Sequence, residues 1–240
     1  MIGEGKFRAE LSAGFKLLED LALAAYRNHW PAVDPATTES LRNSASYIDA
    51  YNLYLTLQAY DFLLDDGSFF FFRRKPLDQS LLSYGYFECP YRGVSYSDFT
   101  SSRGEPGEGA WQDYEEYCAQ RPRRLHILPL RYDWSPALYR EGAHPASHLH
   151  MGYESELRLA VDAVLTPVQF VLIIIRHFYV RTWEATASHL REVVSAIRAI
   201  SDRDVVPSYR QGRDLLELRL ITPRNVSAQA PAQQGRTRHS

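Results

Sequence analysis

The chain has 240 residues, 45% of them hydrophobic, and a formal net charge of −2. That is enough apolar content for a sizeable core in one large domain or two small ones, and the balanced charge gives no electrostatic case for non-specific binding to nucleic acid or an anionic membrane. The two cysteines, Cys89 and Cys118, lie far apart with no CxxC partner, which argues against a disulfide framework and against a cysteine zinc site.

In chain order, the first fifteen residues are amphipathic and carry acids, unlike a signal peptide. With the unpaired cysteines this implies a reducing, cytoplasmic setting. Leu11, Phe15, Leu18, Leu21 and Ala25 recur at three- and four-residue spacing and predict a first helix from about Phe7 to Arg27, ended by Pro31 and Pro35. Thr37 and Thr38 can cap a short second helix through Ser40 to Ser44. The Tyr-rich stretch that follows reads as a helix to about Tyr60, then a strand over Phe62 to Leu64. Asp66-Gly67 is a hairpin signal, because both central positions of a tight turn can take positive φ. SFFFFRR and SYGYFECPY are the next strands, which makes an antiparallel meander of three.

Residues Ser95 to Gly109 read as a surface loop with no apolar period, and Trp111 to Gln120 as a short helix. Arg124 to Trp134 is another strand, in which Pro129 predicts an edge position or a bulge. Ser147 to Met151 is the returning strand, running on toward Leu157 to Val164. Thr166-Pro167-Val168-Gln169 combines a hydroxyl cap, a proline at the first helical position and a glutamine at the third. The helix it opens is apolar nearly all round and should be buried; its longest apolar run, Val168 to Ile175, is too short to span a bilayer. Leu190, Val193, Val194, Ile197 and Ile200 mark a further amphipathic segment, LLELRLIT near Leu215 an added edge strand, and residues 223–240 a disordered tail. The expected fold is therefore a single α+β domain over residues 1–222. Its antiparallel sheet of about five strands is packed by an N-terminal helix and a buried C-terminal helix.

The candidate chemistry lies between Arg131 and Gly152. His148 and His150 are two residues apart on a strand and share a face, and His144 precedes them in the loop. Three imidazoles on one surface could bind a divalent metal such as zinc or manganese, or one could act as a general acid or base. Arg131 and Asp133 share a face of the preceding strand. Asp133 could orient a histidine or ligate a metal, and Arg131 could hold a phosphate in a bidentate fork. If the two strands pair antiparallel, the four side chains meet; a register slip would separate them. A hydrogen-bonded structural network of the same residues is the competing reading, and it ranks first on spacing alone. Arg176, inside the apolar helix, needs a partner: it either pairs with a buried acid such as Asp133 or Asp162, the favoured expectation, or lines the same pocket as the polar strand pair. The Arg73-Arg74-Lys75 and Arg121-Pro122-Arg123-Arg124 clusters read as charged strand ends before they read as a nucleic-acid surface. No phosphate-cradling glycine loop and no nucleophile elbow is present.

Three stretches taken together, YDFLLDDGSFFFF, RYDW followed by HPASHLHMG, and LTPVQFVLIIIRHFY, resemble a bacterial domain-of-unknown-function family, number 2290, over about residues 7 to 200. The resemblance implies the architecture above and a bacterial cytoplasmic origin, and supplies no catalytic residues. The polar strand pair also looks loosely like small toxin-type proteins with an Arg-Tyr-Asp strand before a histidine-rich one. Two functions fit these readings. One is a metal- or histidine-assisted phosphodiesterase or nuclease-like activity in a toxin or phage-defence setting, using Arg131, Asp133, His148 and His150. The other is a non-catalytic subunit that binds a protein partner encoded nearby through the sheet or the 95–109 loop.

Overall fold

A computed structural model describes residues 2–31, 41, 43–74, 81–103, 111–140, 143–161 and 163–186. The short helix capped at Thr37 or Thr38, the segments around Leu190 and Leu215, and the tail from 223 lie outside these residues.

Seven strands form one sheet in sequence order, every neighbouring pair antiparallel. They are β1 (Ala24–Arg27), β2 (Phe62–Leu64), β3 (Phe69–Arg74), β4 (Leu82–Phe87), β5 (Leu130–Trp134), β6 (Ser147–Met151) and β7 (Arg158–Ala160). The meander expected for three strands thus extends through the whole sheet, and the expected count of about five is too low by the two edge strands.

The first extra strand comes from the end of the N-terminal helix. Helix α1 spans Glu4–Asp20, and the chain closes it with two backbone hydrogen bonds, Ala22 N to Glu19 O and Leu23 N to Leu18 O, both at 2.9 Å. That closure puts Ala22 at φ 53°, a left-handed position usually given to glycine. Residues 24–27 are released to pair with β2. Helix α2 (Tyr47–Thr56) ends the same way, with Gln58 at φ 52° and Ala59 N bonded to Tyr54 O, so it stops short of Tyr60. At the far edge Gly152 and Glu154, at φ 87° and 58°, turn the chain after β6, so β7 is a separate strand and not a continuation.

Within the β2–β3 hairpin only Gly67 takes a positive φ, +82°, and Leu64 receives Gly67 N at 3.0 Å. This is a turn followed by a left-handed glycine and not the two-residue turn Asp66-Gly67 predicts. β5 is an interior strand, so Pro129 is not at a sheet edge; it sits just before Leu130, where a missing N–H costs no ladder bond, and its carbonyl accepts from Gly152 N at 2.9 Å. The 95–109 stretch begins as a helix, α3 (Tyr96–Arg103), capped by Ser95 Oγ accepting from Asp98 N at 3.1 Å. α4 spans Trp111–Ala119 and α5 Pro167–Phe178. The Thr166–Gln169 capping box forms with both of its hydrogen bonds, at 2.8 and 3.3 Å.

Side chains alternate across the pleat and build two cores. Phe62, Phe70, Phe72, Tyr84, Tyr132 and Trp134 face α1 and α5. Leu63 and Phe69 face the other way, against Tyr51 and Leu55 of α2 and the aromatic residues of α3 and α4. The expected N- and C-terminal helices thus share one face of the sheet, and α2, α3 and α4 cover the other over β2 and β3. Each phenylalanine buried here contributes on the order of 2–3 kcal/mol.

Arg176 does not follow the expectation of a buried ion pair. It is exposed at the end of α5, and its guanidinium lies 5.9 Å from the centre of the Trp183 ring. The helix is apolar on the face that meets α1 and the sheet, and its charged pair falls on the solvent side of its last turn.

Candidate metal centre

The register of the β4–β7 ladder builds the site. Arg131 stands opposite His150, and Asp133 opposite His148. Ser83 on β4 stands opposite Asp133, and Arg158 on β7 opposite His150. Residues directly opposite in antiparallel strands share a face, so all six lie on one face. Their strand neighbours Tyr132 and Leu149 point into the core with α1 and α5.

Asp133 is the hub. Its Oδ1 accepts from Ser83 Oγ at 2.7 Å, and its Oδ2 accepts from Arg131 Nε at 2.9 Å and lies 3.3 Å from His150 Nε2. His150 Nε2 is in turn 3.0 Å from His148 Nε2. The two histidines are buried, 2% and 7% exposed, whereas the Arg131 side chain is 49% exposed. His144 packs its ring edge-on against His148, with centroids 5.0 Å apart, and its Nδ1 and that of His150 find no hydrogen-bond partner among the described residues.

Charge states follow from these surroundings. Burial alone would push the Asp133 carboxyl up; the hydrogen bond from His150, the Arg131 guanidinium and the Ser83 hydroxyl outweigh it and hold the carboxyl down at about 2. Burial, followed by the neighbouring His150, pushes His148 down to about 4. At neutral pH the site therefore offers an ionised carboxylate beside a neutral imidazole, the protonation states that metal binding requires.

Two of the three donor separations suit one ion. Donor atoms from Asp133, His148 and His150 all lie within 4.8 Å of one another. Two ligand atoms about 2.1 Å from one metal are about 3.0 Å apart at a right angle and about 3.4 Å at the tetrahedral angle. The Nε2–Nε2 separation of 3.0 Å and the Nε2–Oδ2 separation of 3.3 Å match such edges. Two imidazoles and a carboxylate are a donor set that leaves further positions open for water or substrate. His144 stands outside this group and borders it through His148. The four residues expected to meet do meet. Ser83 and Arg158 escaped the sequence reading because nothing local marks them; only the cross-strand register brings them to the face.

No curated protein and no solved structure matches the chain. Among the described residues no helix is long and apolar enough to cross a membrane. Residues 25–210 match the model of a family described as an uncharacterized conserved protein, so the chain carrying this centre belongs to that family, DUF2290.

Proposed function

We propose that the protein is a divalent-metal-dependent phosphodiesterase of the nuclease-like kind, with Asp133, His148 and His150 holding the ion. The observation that carries the reading is the convergence of three donor atoms beside an exposed arginine on the same face. A bound divalent ion supplies Lewis acidity and lowers the pKa of a water nucleophile. Arg131 supplies the phosphate contact: its Nε is spent on Asp133, and the two outer nitrogens of its exposed guanidinium are the ones offered to an anion. Ser83 holds the carboxylate in the orientation that the histidines need. Burial of both imidazoles keeps bulk water off the ligands.

A bacterial, cytoplasmic origin and a toxin or phage-defence setting go with this reading. Two buried free thiols are compatible with a reducing compartment, and the neighbouring genes test the setting. The second reading, an interaction subunit with a protein partner encoded nearby, draws on Leu125 and Trp30, apolar side chains that are 82% and 90% exposed. The deciding experiment is hydrolysis of bis(p-nitrophenyl) phosphate and of a single-stranded oligonucleotide with added manganese or zinc. The wild type should turn over only with metal, and Asp133→Asn and His148→Ala should lose at least 100-fold. Metal-independent turnover, or variants as active as the wild type, would rule the reading out.

A further inference from the structure

The β6–β7 register carries one consequence beyond the metal ligands. His150 has an arginine opposite it on each side, Arg131 on β5 and Arg158 on β7. Both arginines are exposed, whereas the histidine between them is 7% exposed. We infer that Arg131 and Arg158 form a two-guanidinium clamp over the centre, and that its ligand is a phosphodiester whose two non-bridging oxygens each meet one arginine. The inference rests on the reading of the site as a phosphodiesterase and adds Arg158 and the binding mode to it.

Four observations support the clamp. First, neighbouring strands are about 4.8 Å apart, so the two arginines start roughly 10 Å apart across β6, a gap two extended side chains can close. Second, neither guanidinium is consumed. Arg131 gives Nε to Asp133, and Arg158 gives one Nη1 bond, at 3.3 Å, to the Glu156 carbonyl. Third, among the described residues no carboxylate pairs with Arg158, whereas Arg73, Arg124 and Arg131 each have one within 3.0 Å. Fourth, leucine neighbours sit on both sides of Arg158 in ELRLA; Leu159 pairs with Leu149 toward the α1–α5 face, which fixes Arg158 on the face of the histidines. Asp133 already balances Arg131, so the uncompensated charge on this row is that of Arg158, and guanidinium groups match phosphate oxygens bidentately.

The test is titration of the full chain with inorganic phosphate in EDTA, followed by calorimetry, with zinc binding measured separately. The expected result is millimolar or tighter phosphate binding by the wild type, weakened at least 10-fold in Arg158→Ala. Arg158→Lys should fall between, because it keeps the charge and loses the fork. Melting temperature and zinc affinity should stay at the wild-type level in both. His148→Ala should lose zinc and keep phosphate within 3-fold. Phosphate affinity unchanged in Arg158→Ala, or no phosphate binding by a wild type that takes up zinc, would overturn the clamp and leave the metal reading standing. Phosphate binding through Arg158 in a protein that takes up no metal would uphold the clamp and overturn the metal reading.

Discussion

Gly85→Ala puts the sheet geometry beside the site at risk in one substitution. Gly85 stands in the same cross-strand row as Arg131, and on its other side as Phe71. An alanine Cβ there would fall 2.6 Å from Cζ and 2.7 Å from Cδ1 of the Phe71 ring, with Cε1 closer still. The ring cannot retreat freely. It stacks on Tyr54 at 5.6 Å, packs against Phe87 at 6.0 Å and lies beneath the Arg73 guanidinium at 5.4 Å. Overpacking of this kind costs about 1–3 kcal/mol, whereas glycine to alanine in an unobstructed strand should stabilise by roughly 0.5–1 kcal/mol. The sign of the effect therefore decides. We expect a drop in melting temperature of roughly 3–10 °C, read by circular dichroism, and recovery of most of it in the double variant Gly85→Ala/Phe71→Leu. An alanine variant as stable as the wild type or more so would mean that the Phe71 ring does not lie over position 85.

Two further outcomes follow from buried polar groups. Asp61 is 8% exposed and accepts from Phe72 N at 2.7 Å and Arg73 Nη1 at 2.9 Å, and Arg73 also donates to the Ala59 carbonyl. Arg73→Ala strands a carboxylate whose burial already pushes its pKa up, so urea unfolding should show a loss of about 3 kcal/mol, partly restored by adding Asp61→Asn; a loss under about 1 kcal/mol would mark the pair as a screened surface bridge. Burial pushes the Cys89 thiol from its ordinary 9.0 up to about 11. A raised folded pKa gives stability that is fully present below pH 9 and is lost as pH rises to 11, roughly 2–3 kcal/mol from this group; stability curves of the wild type and Cys89→Ala should converge by about that amount across the window, and parallel curves would contradict the burial.

The legible parts of this chain are those with a local chemical signature. The Thr166–Gln169 box, the aromatic strands and the dyad spacing of Arg131/Asp133 and His148/His150 all carry one. The breaks at Ala22 and Gln58 do not. Both are left-handed closures without glycine, so the apolar period of each helix runs on past its true end and hides β1 entirely. Helix α3 was hidden for the opposite reason, since only Tyr96 and Phe99 of its eight residues are buried and no periodic stripe results. The centre itself was half visible. Strand parity placed each dyad on one face, but the meeting of the two, and the arrival of Ser83 and Arg158, depend on a β4–β7 register that no residue pair states locally.

Metal binding by the centre is the claim on which the rest depends, and calorimetric titration of the EDTA-treated full chain with zinc and with manganese measures it directly. We expect one ion per chain and loss of binding in each of Asp133→Ala, His148→Ala and His150→Ala, with His144→Ala weakened far less. A wild type that takes up neither ion, or triple substitution of Asp133, His148 and His150 that leaves uptake unchanged, would contradict it.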